Sequence, residues 1–238
     1  MSVRFLPAGD LAAVVEFDED IGDALNRRLR ALEWLLGQDP IPGICETVPS
    51  FRSLLVYYDP DVISYPALCA AISQYIDAAA AAQPPGGRTI EIPCCYRDPD
   101  LGFDLQAVAD RLGLDAGALV DQHTSAEYLV YFIGFAPGQP YLTGLPPRLA
   151  IPRLESPRTR TPAGSVGIGG TQCCIYSVES PGGFWVLGHT PLPLYDPDAE
   201  EPLLLRPGDR LRFRSIERAE YDRIADALRR GRYRPAIA

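Results

Sequence analysis

The chain has 238 residues, of which 47% are hydrophobic, so it is long enough to bury one large or two ordinary cores, and disorder of the whole chain is excluded. Its formal net charge of −9 repels a polyphosphate backbone, which argues against nucleic acid as a partner. All 22 basic residues are arginine, so the chain by itself lacks the lysine that a phosphate-binding P-loop, a Schiff-base enzyme or a biotin carrier requires.

The opening segment, MSVRFLPAGDLAAVVEF, is not typical of a targeting sequence. Its apolar runs are broken by Arg4, Pro7 and Asp10, which denies it the apolar core of a signal peptide. No stretch of the chain approaches the roughly 20 apolar residues that span a bilayer. We therefore expect a cytoplasmic protein that does not associate with membranes.

The first third of the chain predicts a compact α+β domain. Short apolar strands are expected over 3–8 and 11–17, and a second pair over 44–48 and 52–58. A helix is predicted from Asp20, a candidate N-cap, to Gly37, and another over 64–82. The order β-β-α-β-β-α fills residues 1–83, and the segment 84–88 has the composition of a linker.

Residues 89–238 predict a mainly β domain. The strand TIEIPCCY is followed by short helices over 104–113 and 115–122 and by the apolar strand EYLVYFIGF. Further short strands are expected near SVGIGG, QCCIYSV, FWVLGH and RLRFRSI, and a last helix begins near Glu217. Many short strands separated by turns are typical of a closed or sandwiched β structure.

A segment rich in proline and glycine, from Gly134 to Gly170, lies inside this β domain. Proline fixes φ and glycine permits tight turns, so apolar residues threaded between them predict a rigid loop suited to binding. Its densest basic group is Arg153, Arg158 and Arg160. Guanidinium groups match carboxylates and phosphates, although unpaired surface arginines are equally ordinary, and both interpretations stay open.

Few residues in the chain could carry chemistry directly. His123, at the end of a predicted helix, is a candidate acid or base, and the alternative is a helix cap. Ser165 lies in AGSVG, one residue short of a nucleophile elbow, and a tight turn is the better interpretation. The six cysteines include two adjacent pairs, whose spacing does not suit one tetrahedral metal, so we expect reduced cysteines and no metal site.

Longer motifs carry a resemblance to a known family. The segments HTSAEYLVYFIGFAPGQPYLTGLPPRLAIPRLESPRTRTPAGSVGIGG, IYSVESPGGFWVLGHTPLPLYDP and RPGDRLRFR resemble the family that contains the B subunit of bacterial ATP-dependent 5-oxoprolinase. This family is also known as allophanate hydrolase subunit 1 or KipI, and it is related to the carboxyltransferase region of urea carboxylase. The resemblance runs from about Cys95 to Phe213, and the N-terminal unit fits it as well.

The resemblance implies a fold, a reaction and partners. The fold would be a ferredoxin-like N-terminal domain followed by a cyclophilin-like β-barrel. The chain would work together with two other proteins, a larger C subunit plus an A subunit, with ATP as co-substrate, to open the lactam of 5-oxoproline to L-glutamate. The alternatives are a KipI-like regulator that inhibits a sensor histidine kinase, and a carboxyltransferase-type subunit whose substrate is urea or a related amide.

The loop and the resemblance together imply a site. We expect His123 to handle a proton at the pocket edge, and no metal to be bound. The expected substrate-binding residues are Phe135, Pro137, Gly138, Tyr141, Arg158, Arg160, Ser165, Gln172 and Glu179. The chain departs from the family pattern at Gln139, Cys173, Cys174, Ser177, Phe184 and His189. If these positions line the pocket, a substrate other than 5-oxoproline stays an open alternative.

Overall fold

The structure, a computed structural model, describes residues 3–238. The chain divides into two compact units, one ending at Gly86 and the other spanning Gly87–Ala238, and each has its own hydrophobic core. The division lies within the segment 84–88. The division into domains at 1–83 and 89–238 stays a prediction.

The N-terminal unit is a four-stranded antiparallel sheet with two helices. Its elements are β1 (Val3–Pro7), β2 (Ala12–Phe17), α1 (Asp23–Gln38), β3 (Ile44–Pro49), β4 (Ser53–Tyr58) and α2 (Tyr65–Ala81). The strand order is β1-β2-β4-β3. Alternate residues of β2 and β4 are buried, as a sheet covered on one face requires, and they pack with the helical residues Leu25, Leu29 and Leu32.

The start of the first helix and the order of the elements bear on two of the sequence predictions for this unit. The first helix begins at Asp23 after Gly22, not at Asp20, and no side chain caps it. The ferredoxin-like name denotes the order β-α-β-β-α-β. Because this chain runs β-β-α-β-β-α, that finer assignment stays a prediction.

The C-terminal unit is mainly β. Its first elements are β5 (Thr89–Cys94), α3 (Leu105–Leu112), α4 (Ala116–Ser125), β6 (Glu127–Ile133), β7 (Pro140–Thr143) and a short 3-10 helix (Pro147–Leu149). The remaining elements are β8 (Arg158–Thr161), β9 (Ser165–Gly169), β10 (Gln172–Ile175), β11 (Ser180–Gly182), β12 (Trp185–His189), β13 (Arg210–Ser215) and α5 (Arg218–Arg229). The segment predicted as one long loop therefore contains short strands.

Seven strands form a sheet that nearly closes into a barrel. Their order is β12-β9-β10-β7-β6-β13-β5, with β13 and β5 parallel and the other neighbours antiparallel. The two ends of the sheet meet where Cys95 and His189 exchange backbone hydrogen bonds of 2.9 Å. Strands β8 and β11 form a separate two-stranded ribbon. The arrangement is a barrel-like sheet with helices, and its cyclophilin-like classification stays a prediction.

Two searches of residues 3–238 gave negative results. No helix in this part of the chain is long and apolar enough to cross a bilayer. Within the same residues, no group of three or more His, Cys, Asp or Glu side chains is arranged to hold a metal ion.

Candidate functional site

A cavity of about 310 Å³ opens on the C-terminal unit. Its walls come from the loop between β6 and β7, from the proline-rich loop before β8, and from the segment from the end of β10 to the start of β12. The lining residues are Phe135, Gln139, Tyr141, Arg153, Leu154, Pro157, Tyr176, Pro181, Gly182, Gly183 and Phe184. Most of them are apolar or aromatic, as is usual for small-molecule sites.

Aromatic rings form one wall of the cavity. Tyr141 stacks on Phe132 with ring centroids 4.7 Å apart, and its ring lies 6.3 Å from that of Phe184 in an edge-to-face arrangement. Tyr176 and Phe184 are buried against Cys174 beneath this wall. Burial raises the pKa of Tyr176 to about 12 and also raises the pKa of Tyr141, so both phenols are neutral at pH 7.

Arg153 is the charged group of the cavity. Its Nη2 donates a hydrogen bond of 3.0 Å to Oε1 of Gln172, and its guanidinium carbon lies 4.6 Å from the ring centroid of Phe184. These contacts fix the plane of the guanidinium over an aromatic face. Within residues 3–238 no carboxylate pairs with Arg153, so its positive charge remains available to an anion in the cavity.

Gln139 contributes an unsatisfied polar group. The residue is 2% exposed, and its side-chain carbonyl oxygen has no hydrogen-bond partner in the described part of the chain. Its backbone is fully used, because its N–H donates to the oxygen of Ala136 and its oxygen accepts from the N–H of Gly134. A buried acceptor without a donor is unfavourable.

Phe135 stands at the mouth of the cavity in a strained conformation. Its φ is +69°, which makes it the one non-glycine residue of residues 3–238 in the left-handed region. Its side chain is 68% exposed although it is aromatic. Such strain tends to persist at functional sites, where the surrounding loop holds the residue in place.

A family model that matches most of the chain identifies the family of this protein. The family model for the carboxyltransferase domain, subdomain C and D, matches residues 3–205. The chain belongs to this family. The resemblance found in the sequence is therefore confirmed.

Individual relatives agree with the carboxyltransferase-domain assignment. The B subunit of 5-oxoprolinase from Bacillus subtilis (strain 168) is 38% identical over 93% of this chain and 97% of its own length. The crystal structure of TTHA0988 is 38% identical with a TM-score of 0.76, and the match covers 91% of this chain and 40% of that one. The urea amidolyase of K. lactis has a TM-score of 0.81 over 99% of this chain and 16% of its own, and at 24% identity it supports the fold alone.

For this member of the carboxyltransferase-domain family, the structure brings some of the predicted site residues to the cavity. Phe135 and Tyr141 line it, and Gln172 reaches it through its bond to Arg153. Pro137 and Gly138 shape the loop without lining the cavity. The Pro137 oxygen accepts a 2.5 Å hydrogen bond from Ser177, and Gly138 has a φ of +71°, which permits its close approach to Tyr195.

Arg158 and Arg160 are not among the lining residues, and each already forms an ion pair with a carboxylate. Nη2 of Arg158 lies 2.6 Å from Oδ1 of Asp104, whose other oxygen accepts from the backbone N–H of Val186. Arg160 makes two parallel bonds of 2.9 Å to Glu179 on the exposed ribbon. Arg160 and Glu179, both predicted to bind the substrate, thus lie close together but pair with each other. An anion-binding role for Arg158 and Arg160 stays a prediction that this geometry does not favour.

Ser165 is buried in a turn and lacks a base. Its hydroxyl has no hydrogen-bond partner among the described residues, and the nearest histidine in the sheet, His189, pairs through Nδ1 with the hydroxyl of Tyr221 at 2.9 Å. The preceding Gly164 has a φ of +90°, and a β-carbon there would lie 2.3 Å from Cε1 of His189. The geometry supports the tight turn and gives Ser165 no partner for nucleophilic chemistry.

His123 lies in the barrel core. Its ring is 0% exposed, with Nδ1 2.9 Å from the Tyr96 hydroxyl and Nε2 3.6 Å from the Cys173 sulfur. The ring of Phe213 is 4.7 Å away. Burial lowers the pKa of His123 to about 3, so the ring is neutral at pH 7. His123 does not line the cavity. Its proton-transfer role stays a prediction that this position does not support.

The sequence prediction of the site did not include three features of the cavity. Arg153 belongs to the predicted basic group, but only the positions of distant carboxylates separate it from Arg158 and Arg160. Gln139 and Phe184 stand out as departures from the family pattern, and both line the cavity. The adjacent glycines Gly182 and Gly183 are a sequence signal for close backbone approach, and in the structure a β-carbon at Gly182 would lie 1.9 Å from the Tyr176 hydroxyl.

Proposed function

We propose that the chain is the B-type subunit of an ATP-dependent 5-oxoprolinase, in which it works with a larger C subunit plus an A subunit. Support comes from the carboxyltransferase-domain match and from the near full-length likeness to a relative named as the B subunit of 5-oxoprolinase. In this role the chain contributes part of a site, and other subunits complete it.

The observation that carries the proposal is the uncompensated guanidinium of Arg153 in an aromatic cavity. 5-Oxoproline is a small flat ring with a carboxylate, and it needs one cation and one apolar surface. Arg153 binds the carboxylate through its remaining donors, and the ring packs against Tyr141 and Phe184.

The division of labour follows from what the chain lacks. It has no lysine, and its two histidines are His123, buried in the core, and His189, paired with Tyr221. In this proposal the ATP phosphates are bound mainly by a partner subunit. The lactam oxygen attacks the γ-phosphorus and ADP leaves. Water then adds to the activated carbon, the C–N bond breaks with the proton going to nitrogen, and a second water displaces phosphate to give glutamate.

A carboxyltransferase-type role on urea or a related amide is the second candidate. The family model, which describes a carboxyltransferase domain, supports it. Urea is neutral, however, so it would gain no charge-assisted hydrogen bond from Arg153. The cavity therefore fits an anionic amide better than urea.

Reconstitution tests the proposal directly. The chain is combined with the C and A subunits encoded in the same genome, and ATP-dependent formation of glutamate from 5-oxoproline is measured with and without the chain. We expect turnover only when the chain is present. Absence of glutamate formation by the full set, or equal turnover without this chain, would overturn the proposal, and carboxylation of urea instead would support the second candidate.

A further inference from the structure

The backbone around Arg153 is anchored to the barrel on both sides of the residue. Before it, Ile151 and Gly170 exchange backbone hydrogen bonds of 3.2 and 2.6 Å. After it, the N–H of Leu154 donates a hydrogen bond of 2.9 Å to the oxygen of Gly183. Because the backbone is held in this way, the position of the positive charge depends on the contacts of the Arg153 side chain.

The Arg153 side chain has contacts along its length. A β-carbon at Gly169 would lie 2.9 Å from Cγ of Arg153, so the stem passes close over the bare backbone of β9. The guanidinium carbon lies 4.6 Å from the ring centroid of Phe184, and Nη2 donates a hydrogen bond of 3.0 Å to Oε1 of Gln172. The ring fixes the plane of the guanidinium, and the hydrogen bond fixes its rotation within that plane.

The partner of Arg153 differs in charge from the partners of the other two arginines in this segment. Arg158 and Arg160 each bond to a carboxylate, at 2.6 and 2.9 Å. Arg153 bonds to the amide of Gln172, which is a neutral acceptor. A glutamate has the same length and shape and would accept the same hydrogen bond, but it would also cancel the charge of the guanidinium.

The charge of the cavity therefore depends on the residue at position 172. Arg153 is the one charged side chain among the described residues that line the cavity, and the phenols of Tyr141 and Tyr176 are neutral at pH 7. With a neutral residue beside Arg153 the cavity has a net positive charge, and with a carboxylate there it would have none.

We infer that Gln172 is a positioning residue that sets the charge preference of the cavity, because its neutral amide orients Arg153 and leaves the positive charge to an anionic ligand. The inference rests on the proposed function, since it concerns the ligand of the same cavity. It adds that one change of charge at position 172 converts a cavity for anions into one that does not distinguish an anion from a neutral amide.

The test compares an anionic and a neutral ligand of the same size. Calorimetric titration at pH 7 measures the affinity of 5-oxoproline and of its carboxamide, 5-oxoprolinamide, for the full-length chain, alone and assembled with its partner subunits. We expect the wild-type chain to bind the anion about tenfold or more tightly, the effect of one charge-assisted hydrogen bond. Gln172→Glu should remove this preference by weakening the anion about tenfold or more while leaving the carboxamide nearly unchanged.

Two further variants isolate the charge from other effects of the substitution. Gln172→Met is neutral and similar in length but lacks the amide acceptor, so it should weaken the anion less than Gln172→Glu does and keep the preference. Gln38→Glu adds the same charge at the exposed end of α1 in the N-terminal unit, and it should change the affinity of neither ligand. Equal losses of anion affinity in Gln172→Met and Gln172→Glu would overturn the charge rule.

Thermal unfolding distinguishes a positioning role from a structural one. In Gln172→Glu the introduced carboxylate pairs with Arg153, so the unfolding temperature should stay the same or rise while the affinity for the anion falls. A structural role predicts the opposite, because the substitution keeps the hydrogen bond. Wild-type affinity of Gln172→Glu for 5-oxoproline, or equal weakening of both ligands with a lower unfolding temperature, would overturn the inference.

The remaining outcomes separate this inference from the proposed function. If Arg153→Ala weakens 5-oxoproline binding and Gln172→Glu does not, the inference falls and the cavity remains the substrate site. If wild type binds neither ligand, or neither variant changes the affinity for the anion, both the inference and the substrate role of the cavity fall. The expected shift between the two ligands without glutamate formation by the reconstituted subunits would support the charge rule and overturn the proposed reaction.

Discussion

Strand β10 separates the barrel core from the cavity, and the polar groups of these two regions differ in whether they have hydrogen-bond or charge partners. Cys173 faces the core, 3.6 Å from His123, while its neighbour Cys174 packs with Tyr141, Tyr176 and Phe184 beneath the cavity. Adjacent residues of a strand point to opposite faces, and burial raises the pKa of both thiols. On the core side the histidine ring is enclosed, with polar neighbours at both nitrogens. On the cavity side, among the described residues, Arg153 pairs with no carboxylate and the side-chain oxygen of Gln139 accepts no hydrogen bond.

From this difference we expect residue type to be a poor guide to the site of this protein. His123 and Cys173, of the residue types that usually carry chemistry, are packed in the barrel core. The groups able to recognise a ligand are an arginine, a glutamine and aromatic rings. Each prediction below tests whether the core side is structural and the cavity side functional.

Replacing His123 should give the largest effect, which we expect to be a loss of stability. His123→Asn removes the ring contacts with Phe213 and Tyr128 and leaves a void, so we expect a loss of about 2–4 kcal/mol in the free energy of unfolding. Denaturant unfolding measures this loss, and glutamate formation per folded molecule should stay near the wild-type rate. Asp121→Ala, an exposed change on the same helix, is the control. Lost turnover with unchanged stability would restore the catalytic prediction for His123.

Replacing Arg153 should weaken binding and spare stability. A charge-assisted hydrogen bond contributes about 1.5–3 kcal/mol, so Arg153→Ala should weaken 5-oxoproline binding roughly 10–150-fold. Arg160→Ala is the matched control, since Arg160 is already paired with Glu179 on an exposed ribbon and should leave binding unchanged. Calorimetry on both variants makes the comparison. A larger loss in the Arg160 variant would move the anion site to the ribbon.

The sequence predicted the scaffold better than the site. Leu25, Leu29 and Leu32 recur at helical spacing and are buried on α1, because such a stripe must face a core. The proline and glycine segment was expected to be a binding loop, and it supplies several walls of the cavity.

The site residues depend on contacts that spacing along the chain does not contain. Arg158 is neutralised by Asp104, 54 positions away, and Arg160 by Glu179, 19 positions away. Only the folded barrel shows that Arg153 has no such partner among residues 3–238. The burial of His123 depends on such contacts too, since the barrel packing around α4 decides it.

Acid should destabilise the core side. The pKa of His123 is about 3 in the folded protein and about 6.5 when unfolded, so the unfolded chain binds more protons at acidic pH. Stability is fully present above about pH 6.5 and falls as the pH drops toward 3. Between pH 7 and 5 the loss is about 2 kcal/mol. Burial also lowers the pKa of His189, which acts in the same direction. Denaturant unfolding at both pH values should show a smaller loss in His123→Asn, and an equal loss would mean that the ring does not control acid stability.

Releasing the strain at the cavity mouth should give the smallest effect, and of opposite sign. The left-handed conformation of Phe135 costs an L-residue about 1–2 kcal/mol, which glycine avoids while adding about 0.5–1 kcal/mol of backbone entropy on folding. Phe135→Gly should therefore raise the free energy of unfolding by up to about 1.5 kcal/mol. Phe135→Ala removes the same exposed ring but keeps the strain, so it separates the two contributions. Both variants should weaken 5-oxoproline binding alike, because the ring is a wall of the cavity. A glycine variant that is less stable than the alanine variant by about 0.5–1 kcal/mol would show that φ stores no strain, and unchanged binding in both would remove Phe135 from the site.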